Sequence, residues 1–265
     1  MRHAALSPLL PNEARELIRT NSTLSTTSGI SLGYAQANIA ILPERFAADF
    51  NRFCTLNAKA CPLLHISDPG DPHAERLGKN IDIRTDVPGY LLVKDGVTTA
   101  EVSDISRLWQ DDLVTFYIGC SFSFEEALLS QGVSLPHIEA GCNVAMYRTH
   151  LPLHTAGPFS GSMVVSMRML TPAEAIKAVQ ITSDMPMVHG APVHIGDPKQ
   201  IGIADLLQPD FGDPPEQDDG RLPVFWACGV SSQVALASAE LPLAMTHAPG
   251  KMLITDIPNW QLRYA

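Results

Sequence analysis

FYIGCSFSFEEAL, residues 116–128, aligns without a gap on VFWACGVSSQVAL, residues 224–236. Cys120 falls on Cys228, Ser123 on Ser231, Ala127 on Ala235 and Leu128 on Leu236. Further out, HIEAG at 137–141 corresponds loosely to HAPG at 247–250, and MYRT at 146–149 to LITD at 253–256. Each copy reads strand, Cys turn, helix, His-Gly turn, strand, and similarity at a near-constant displacement is the mark of a repeated structural unit. Chance similarity between apolar strands is the competing explanation. The units predict an α/β fold: a mixed sheet with internally duplicated β-α-β units at 113–149 and 223–256. Their Cys turns are expected at the carboxyl edge of the strands, where open α/β sheets bind ligands.

The chain before this region reads differently. Pro11 and Asn12 introduce a helical stretch, EARELIR, and the Ser/Thr-rich tract Asn21 to Ser31 reads as a loop. A second helix is expected from Pro43 through ERFAADFNRF, where Phe46, Phe50 and Phe53 recur at spacings of four and three and form a core stripe. PLLHIS suits a buried strand. The runs Tyr90 to Val93 and Val97 to Val102 flank Lys94-Asp95-Gly96, a pairing that favours a tight hairpin. The expected division is an N-terminal α+β lobe over 1–110 and an α/β region over 111–265, with the two free to interleave.

Composition narrows the function classes. At 265 residues with 45% apolar side chains, the chain can bury a core without staples. A net charge of -10 gives no general attraction to a phosphate backbone, so nucleic acid and anionic membrane surfaces are excluded as partners. Apolar runs such as Val224 to Val230 stop far short of the roughly 20 residues of a membrane helix. No export address is visible in MRHAALSPLLPNEARE, and five scattered cysteines do not suggest a disulfide framework, so a cytoplasmic location is expected. The expected partner is a small carboxylate or amino acid, with assembly into a homo-oligomer left open.

Four groups of residues could carry chemistry. Ser123 and Glu126 have capping-box spacing, which would start a helix beside Cys120. The free N–H groups there, with Ser121, could hold a carboxylate and lower the Cys120 pKa. A buried Cys with an ordinary cap is the bland alternative. His189, His194 and Asp197 share a Gly- and Pro-rich loop and could move a proton, or could simply satisfy backbone carbonyls. Asp82, Arg84 and Asp86 alternate as on one face of a strand, where Arg84 with Asp86 could hold a substrate or merely face water. Arg148 and Arg168 are similar candidates at strand ends. No metal-ligand spacing, dinucleotide fingerprint, P-loop or nucleophile elbow occurs, so neither metal nor another cofactor is expected.

The order of the strings GYAQANIAILP, NIDIRTDVPGY, LVTFYIGCSFSFEEALL, HIEAGCNVAMYRT, VVSMRM, VHGAPVHIGDP, PDFG, VFWACGV and THAPGKMLITD resembles a bacterial hydro-lyase family. That family is similar to a region of the mitochondrial D-glutamate cyclase of animals. The resemblance runs from about residue 8 to 258, departing where Cys142 replaces a more usual basic residue and Ala145 a more usual Pro. It implies an α/β fold with two structural domains and a hydro-lyase, with closure of D-glutamate to 5-oxo-D-proline as the specific expectation. Such a reaction needs a carboxylate anchor (Arg84 or Arg148), a base (His189 or His194) and donors polarising the side-chain carboxyl, here the N–H groups after Cys120. A thioester on Cys120 is an elaboration of this scheme. The rival readings are dehydration of a short hydroxy acid and a carboxylate-binding protein without activity.

Overall fold

The computed structural model describes residues 8–20, 24–216 and 220–263, so residues 21–23 of the polar tract lie outside the described residues. In chain order the elements are α1 (Pro11–Thr20), β1 (Tyr34–Pro43), α2 (Ala47–Leu56), β2 (Leu63–Ile66), β3 (Tyr90–Lys94), β4 (Val97–Val102) and β5 (Leu113–Gly119). There follow α3 (Glu125–Ser130), α4 (Pro136–Ala140), β6 (Met146–Pro152), β7 (Ser162–Leu170), α5 (Pro172–Ser183) and β8 (His194–Ile195). The last are β9 (Leu222–Ala227), α6 (Val230–Ser238), β10 (Ala244–His247) and β11 (Leu253–Pro258). No helix among the described residues is long and apolar enough to cross a membrane.

Helices and sheets mix in an α/β fold built on two sheets. The larger has the order β2-β5-β1-β10-β3-β4, with β11 also paired to β1; the smaller runs β6-β7-β9-β8. β1 is buried from Ala35 to Pro43 because strands cover both its edges and side chains cover both its faces. Such double-sided burial is why AQANIAILP reads as a continuous run rather than an alternation. The large sheet takes β1 to β4 from before residue 110 and β5, β10 and β11 from after it. The β3–β4 hairpin turns through Asp95 and Gly96, both at positive φ (47° and 78°), as an Asp-Gly turn requires.

Every pairing between these strands is antiparallel, where the β-α-β reading implied parallel neighbours. The reason lies in where each unit ends. The unit beginning with β5 leaves the large sheet and closes on β6 in the small one; the unit beginning with β9 leaves the small sheet and closes on β10 and β11 in the large one. Both units therefore bridge the sheets, in opposite senses. Their Cys turns are held by matching bonds to a neighbouring strand. Cys120 N–H donates to Gln36 O at 3.1 Å and Cys228 N–H to Val164 O at 2.9 Å. Ser123 Oγ accepts from Gln36 N–H and Ser231 Oγ from Val164 N–H, each at 2.9 Å. Ser123 is thereby taken from the capping box expected with Glu126, and α3 starts without a side-chain cap.

The phenylalanine stripe is core. The helix itself begins at Ala47, after a 3-10 turn over Glu44–Phe46, and sinks Phe50 and Phe53 completely. Phe50 meets Phe116 edge-on at 4.8 Å and Phe159 at 4.9 Å, tying α2 to β5.

The segment 82–86 is not a strand. Asp86 N–H and Thr85 N–H both return to Asp82 O, closing a turn. Its buried Asp86 carboxylate takes both Arg19 Nε (2.6 Å) and Nη2 (2.7 Å), while the neighbouring Arg15 reaches Asp256 at 2.7 Å. Ion pairing with α1, rather than strand alternation, dictates this arrangement. Residues 24–31 of the tract after α1 form a loop, as its composition suggested, but Thr26, Thr27, Ser28 and Ser31 are buried.

Candidate functional site

α3 opens with two glutamates of different fates. Glu126 is half-buried, whereas Glu125 points inward with Leu128 and is fully buried. A carboxylate there is tolerated only if paired and fully hydrogen-bonded. Glu125 Oε1 accepts from Arg168 Nη2 at 2.6 Å and meets His137 Nε2 at 2.9 Å, while Oε2 accepts from Ser28 Oγ at 3.2 Å. Burial pushes its pKa up, but the charges of His137 and Arg168 with their hydrogen bonds outweigh that and hold it below the ordinary carboxylate value.

Arg168, on β7, is 3% exposed. Its guanidinium lies 5.0 Å from the Phe124 ring and 5.4 Å from that of Trp226. Nη1 donates to Ser166 Oγ at 3.1 Å and Nη2 also to Ser121 Oγ at 3.2 Å, while Nε has no hydrogen-bond partner among the described residues. His137 sits on α4, a single turn started by Pro136 and stopped by Gly141 in the left-handed region. Arg168 and His137 form part of the wall of a cavity of ≈330 Å³ whose other polar residues are Asn143, Asp213, Glu216 and Arg221. Met167, Met169 and two prolines of the 213–216 segment supply apolar wall. Cys142 and Ala145, where the sequence departs from the family pattern, also line it. At its wall an imidazole and a guanidinium stand side by side on one carboxylate.

The residues singled out from the sequence are distributed otherwise. Ser121 joins the cluster through Arg168. Cys120 lies in an apolar group with Cys228, Val164 and Met146; burial pushes its thiol up, and that of Cys228 up to about 11, so neither is poised as a thiolate. His189 is buried, its Nδ1 3.0 Å from Lys59 O, and burial draws its pKa down to about 4. His194 Nε2 lies 2.8 Å from Asp197 O, and Asp197 caps the next turn through Lys199 N–H at 3.0 Å. None of these three lines the cavity. Arg84 is held by Asp82 at 2.7 Å, Asp86 by α1, and the exposed Arg148 lies near Asp210 at 3.7 Å and over the Phe211 ring. Of the expected convergence, His189 does lie beside Gly119 at the Cys120 turn, but Arg84 and Arg148 are held elsewhere by Asp82 and Asp210, and none of these residues lines the cavity beside Glu125.

Glu125, His137 and Asn143 were not chosen from the sequence, though the duplication held the signal for two of them. The alignment that sets Cys120 on Cys228 sets Glu125 on Gln233, and HIEAG on HAPG sets His137 on His247. In the second unit Gln233 Nε2 lies 3.1 Å from His247 Nε2, which also lies 3.0 Å from Asn38 Oδ1. His247 is fully buried, its pKa drawn down to about 4 by that burial. One unit thus carries a carboxylate–imidazole pair on a cavity, the other an amide–imidazole pair in the interior.

Comparison with known proteins adds the following. The family model described as D-glutamate cyclase matches residues 114–256. Three bacterial proteins, each named "Putative hydro-lyase", match nearly end to end. That of Bradyrhizobium sp. (strain ORS 278) is 55% identical over 96% of this chain and 93% of its own length. That of Rhizobium johnstonii is 58% identical over 94% and 93%, and that of Bordetella pertussis 55% over 95% and 91%. Among solved structures, a nitrogen repressor-like protein from Methanococcus jannaschii aligns over 92% of this chain and 97% of its own at 11% identity and a TM-score of 0.39, too slight a likeness to bear on fold or function.

Proposed function

The chain belongs to the D-glutamate cyclase family, and on that premise we propose that its cavity removes water from a small amino acid, closing D-glutamate to 5-oxo-D-proline. The observation that carries this reading is that His137 and Arg168 share Glu125 Oε1 at the wall of a single cavity. A general acid–base and a fixed cation then face the same small volume. No thiolate is required, and Cys120 takes no part.

In this scheme Glu125 fixes the ring of His137 through Nε2, leaving Nδ1 to exchange protons with the ligand. The substrate enters as ammonium and carboxylate. His137 takes a proton from the ammonium, the freed nitrogen attacks the side-chain carboxyl carbon, and the C–N bond forms as electrons move onto oxygen. His137 returns that proton to the departing oxygen, then takes the second proton from the now-bonded nitrogen and delivers it to the same oxygen as the C–O bond breaks. The two protons shed by nitrogen leave with that oxygen as water, so charge and atoms balance. Arg168 stabilises the developing negative charge, a contribution strengthened by its exclusion from bulk water.

The test incubates purified protein with D-glutamate and with a panel of short amino and hydroxy acids, following loss of water by mass. D-glutamate should yield 5-oxoproline, and His137→Gln should lower the rate by roughly 10²–10⁴ while leaving ligand-induced thermal stabilisation in place. A wild-type protein stabilised by such an acid but dehydrating none of them would refute the reading in favour of a carboxylate-binding protein.

A further inference from the structure

Two buried polar atoms, on residues that line the cavity, are left over by the protein's own hydrogen bonding. Arg168 Nε is a buried donor without an acceptor, and Asn143 Oδ1 a buried acceptor without a donor, among the described residues. A stranded buried polar group is costly, and native proteins leave few of them without a ligand or other explanation. These two have opposite hydrogen-bonding character and belong to residues that line the same cavity.

Asn143 is also tied to the acid–imidazole pair. Its N–H donates to Asp213 at 2.7 Å, and its amide packs against Gly250, where a side chain would collide with it. Gly250 O accepts from Thr27 N–H at 2.7 Å, and the next residue, Ser28, donates to Glu125. The loop that holds Glu125 therefore also braces the turn against which Asn143 rests.

We propose that Asn143 is a further catalytic and specificity-determining residue, its Oδ1 accepting the N–H of the ligand nitrogen while Arg168 Nε donates to the oxygen on the adjacent carbonyl carbon. The inference rests on the cavity being the site of water loss. It deepens that reading by assigning a protein contact to each end of the newly formed C–N unit, so that the ligand class is a small acid carrying a nitrogen donor beside a carbonyl. A ring amide presents that donor and acceptor; a ring ester of the same shape lacks the donor and would strand Asn143 Oδ1 again.

The experiment measures binding of 5-oxo-D-proline and of the lactone with ring oxygen in place of N–H, by calorimetry, to wild type, Asn143→Ala and Asn143→Asp. Wild type should favour the lactam by at least about tenfold, since a site built to hydrogen-bond a group rejects an analogue without it. Asn143→Ala should bind both within about twofold, and Asn143→Asp, which keeps an acceptor, should retain the preference. Equal affinity in wild type, or a preference undiminished in Asn143→Ala, would overturn the role of Asn143 and leave the cavity as the site. Failure of wild type to bind either compound would overturn the site itself and this inference with it. If Asn143→Ala does not fold, loss of the preference in Asn143→Asp counts against the proposal and its retention supports it.

Discussion

Replacement of Glu125 by Gln is the perturbation whose consequences the structure defines most fully. The change is nearly isosteric, and an amide already faces a histidine at the matching position, Gln233. What it removes is charge. Arg168, 3% exposed, would keep Ser166 and Ser121 but lose the partner 2.6 Å away that neutralises it, and His137 would lose its charged acceptor. Breaking one side of a buried ion pair costs about 3–5 kcal/mol, which for a chain of this size lowers Tm by roughly 6–20 °C. The loss should also depend on pH. The native carboxyl is held below its ordinary value, so the stability it contributes is present above the unfolded pKa of ~4.3 and lost as pH falls through the native one. Urea unfolding of both proteins at pH 7 and at steps below 4.3 (~ the unfolded value) should show the gap narrowing on acidification. A gap below about 1 kcal/mol at neutral pH, or one that does not shrink, would refute the assignment of Glu125 as the ionised centre of the cluster.

Two further outcomes follow from burial. His189 and His247, drawn down to about 4, refuse a proton that the unfolded imidazole accepts near ~6.5, so stability present above ~6.5 should fall as pH drops toward 4, by on the order of 3 kcal/mol for each; thermal unfolding of His189→Gln and His247→Gln against pH should show a flatter acid limb, and an unchanged slope would contradict it. Cys142 is half-exposed on the cavity wall while the other four cysteines are buried, so iodoacetamide on the native protein should label Cys142 first and abolish binding of 5-oxo-D-proline; peptide mass mapping that finds Cys120 labelled first would count against the burial described for its turn.

The sequence by itself determined the local units. Apolar runs ending in Gly119-Cys120 and Ala227-Cys228, each followed three residues on by Ser, specified strand, turn and helix in both copies, and Asp95-Gly96 specified a hairpin. The Phe46, Phe50 and Phe53 spacing found the buried helix face. Such features rest on backbone preferences and side-chain periods that act within a turn or two of the chain. They also led astray: capping logic selected Ser123 and Glu126, and alternation made Asp82 to Asp86 a strand. Only the tertiary structure decided which sheet each strand joins, that Asp86 answers to Arg19, and that Glu125 rather than Glu126 is the buried carboxylate. The partners of Glu125 lie 12 residues away at His137, 43 at Arg168 and 97 at Ser28. A buried charge is stable only where distant groups arrive to solvate it, and that arrival depends on how β7, α4 and the 24–31 loop pack together, which no local pattern encodes.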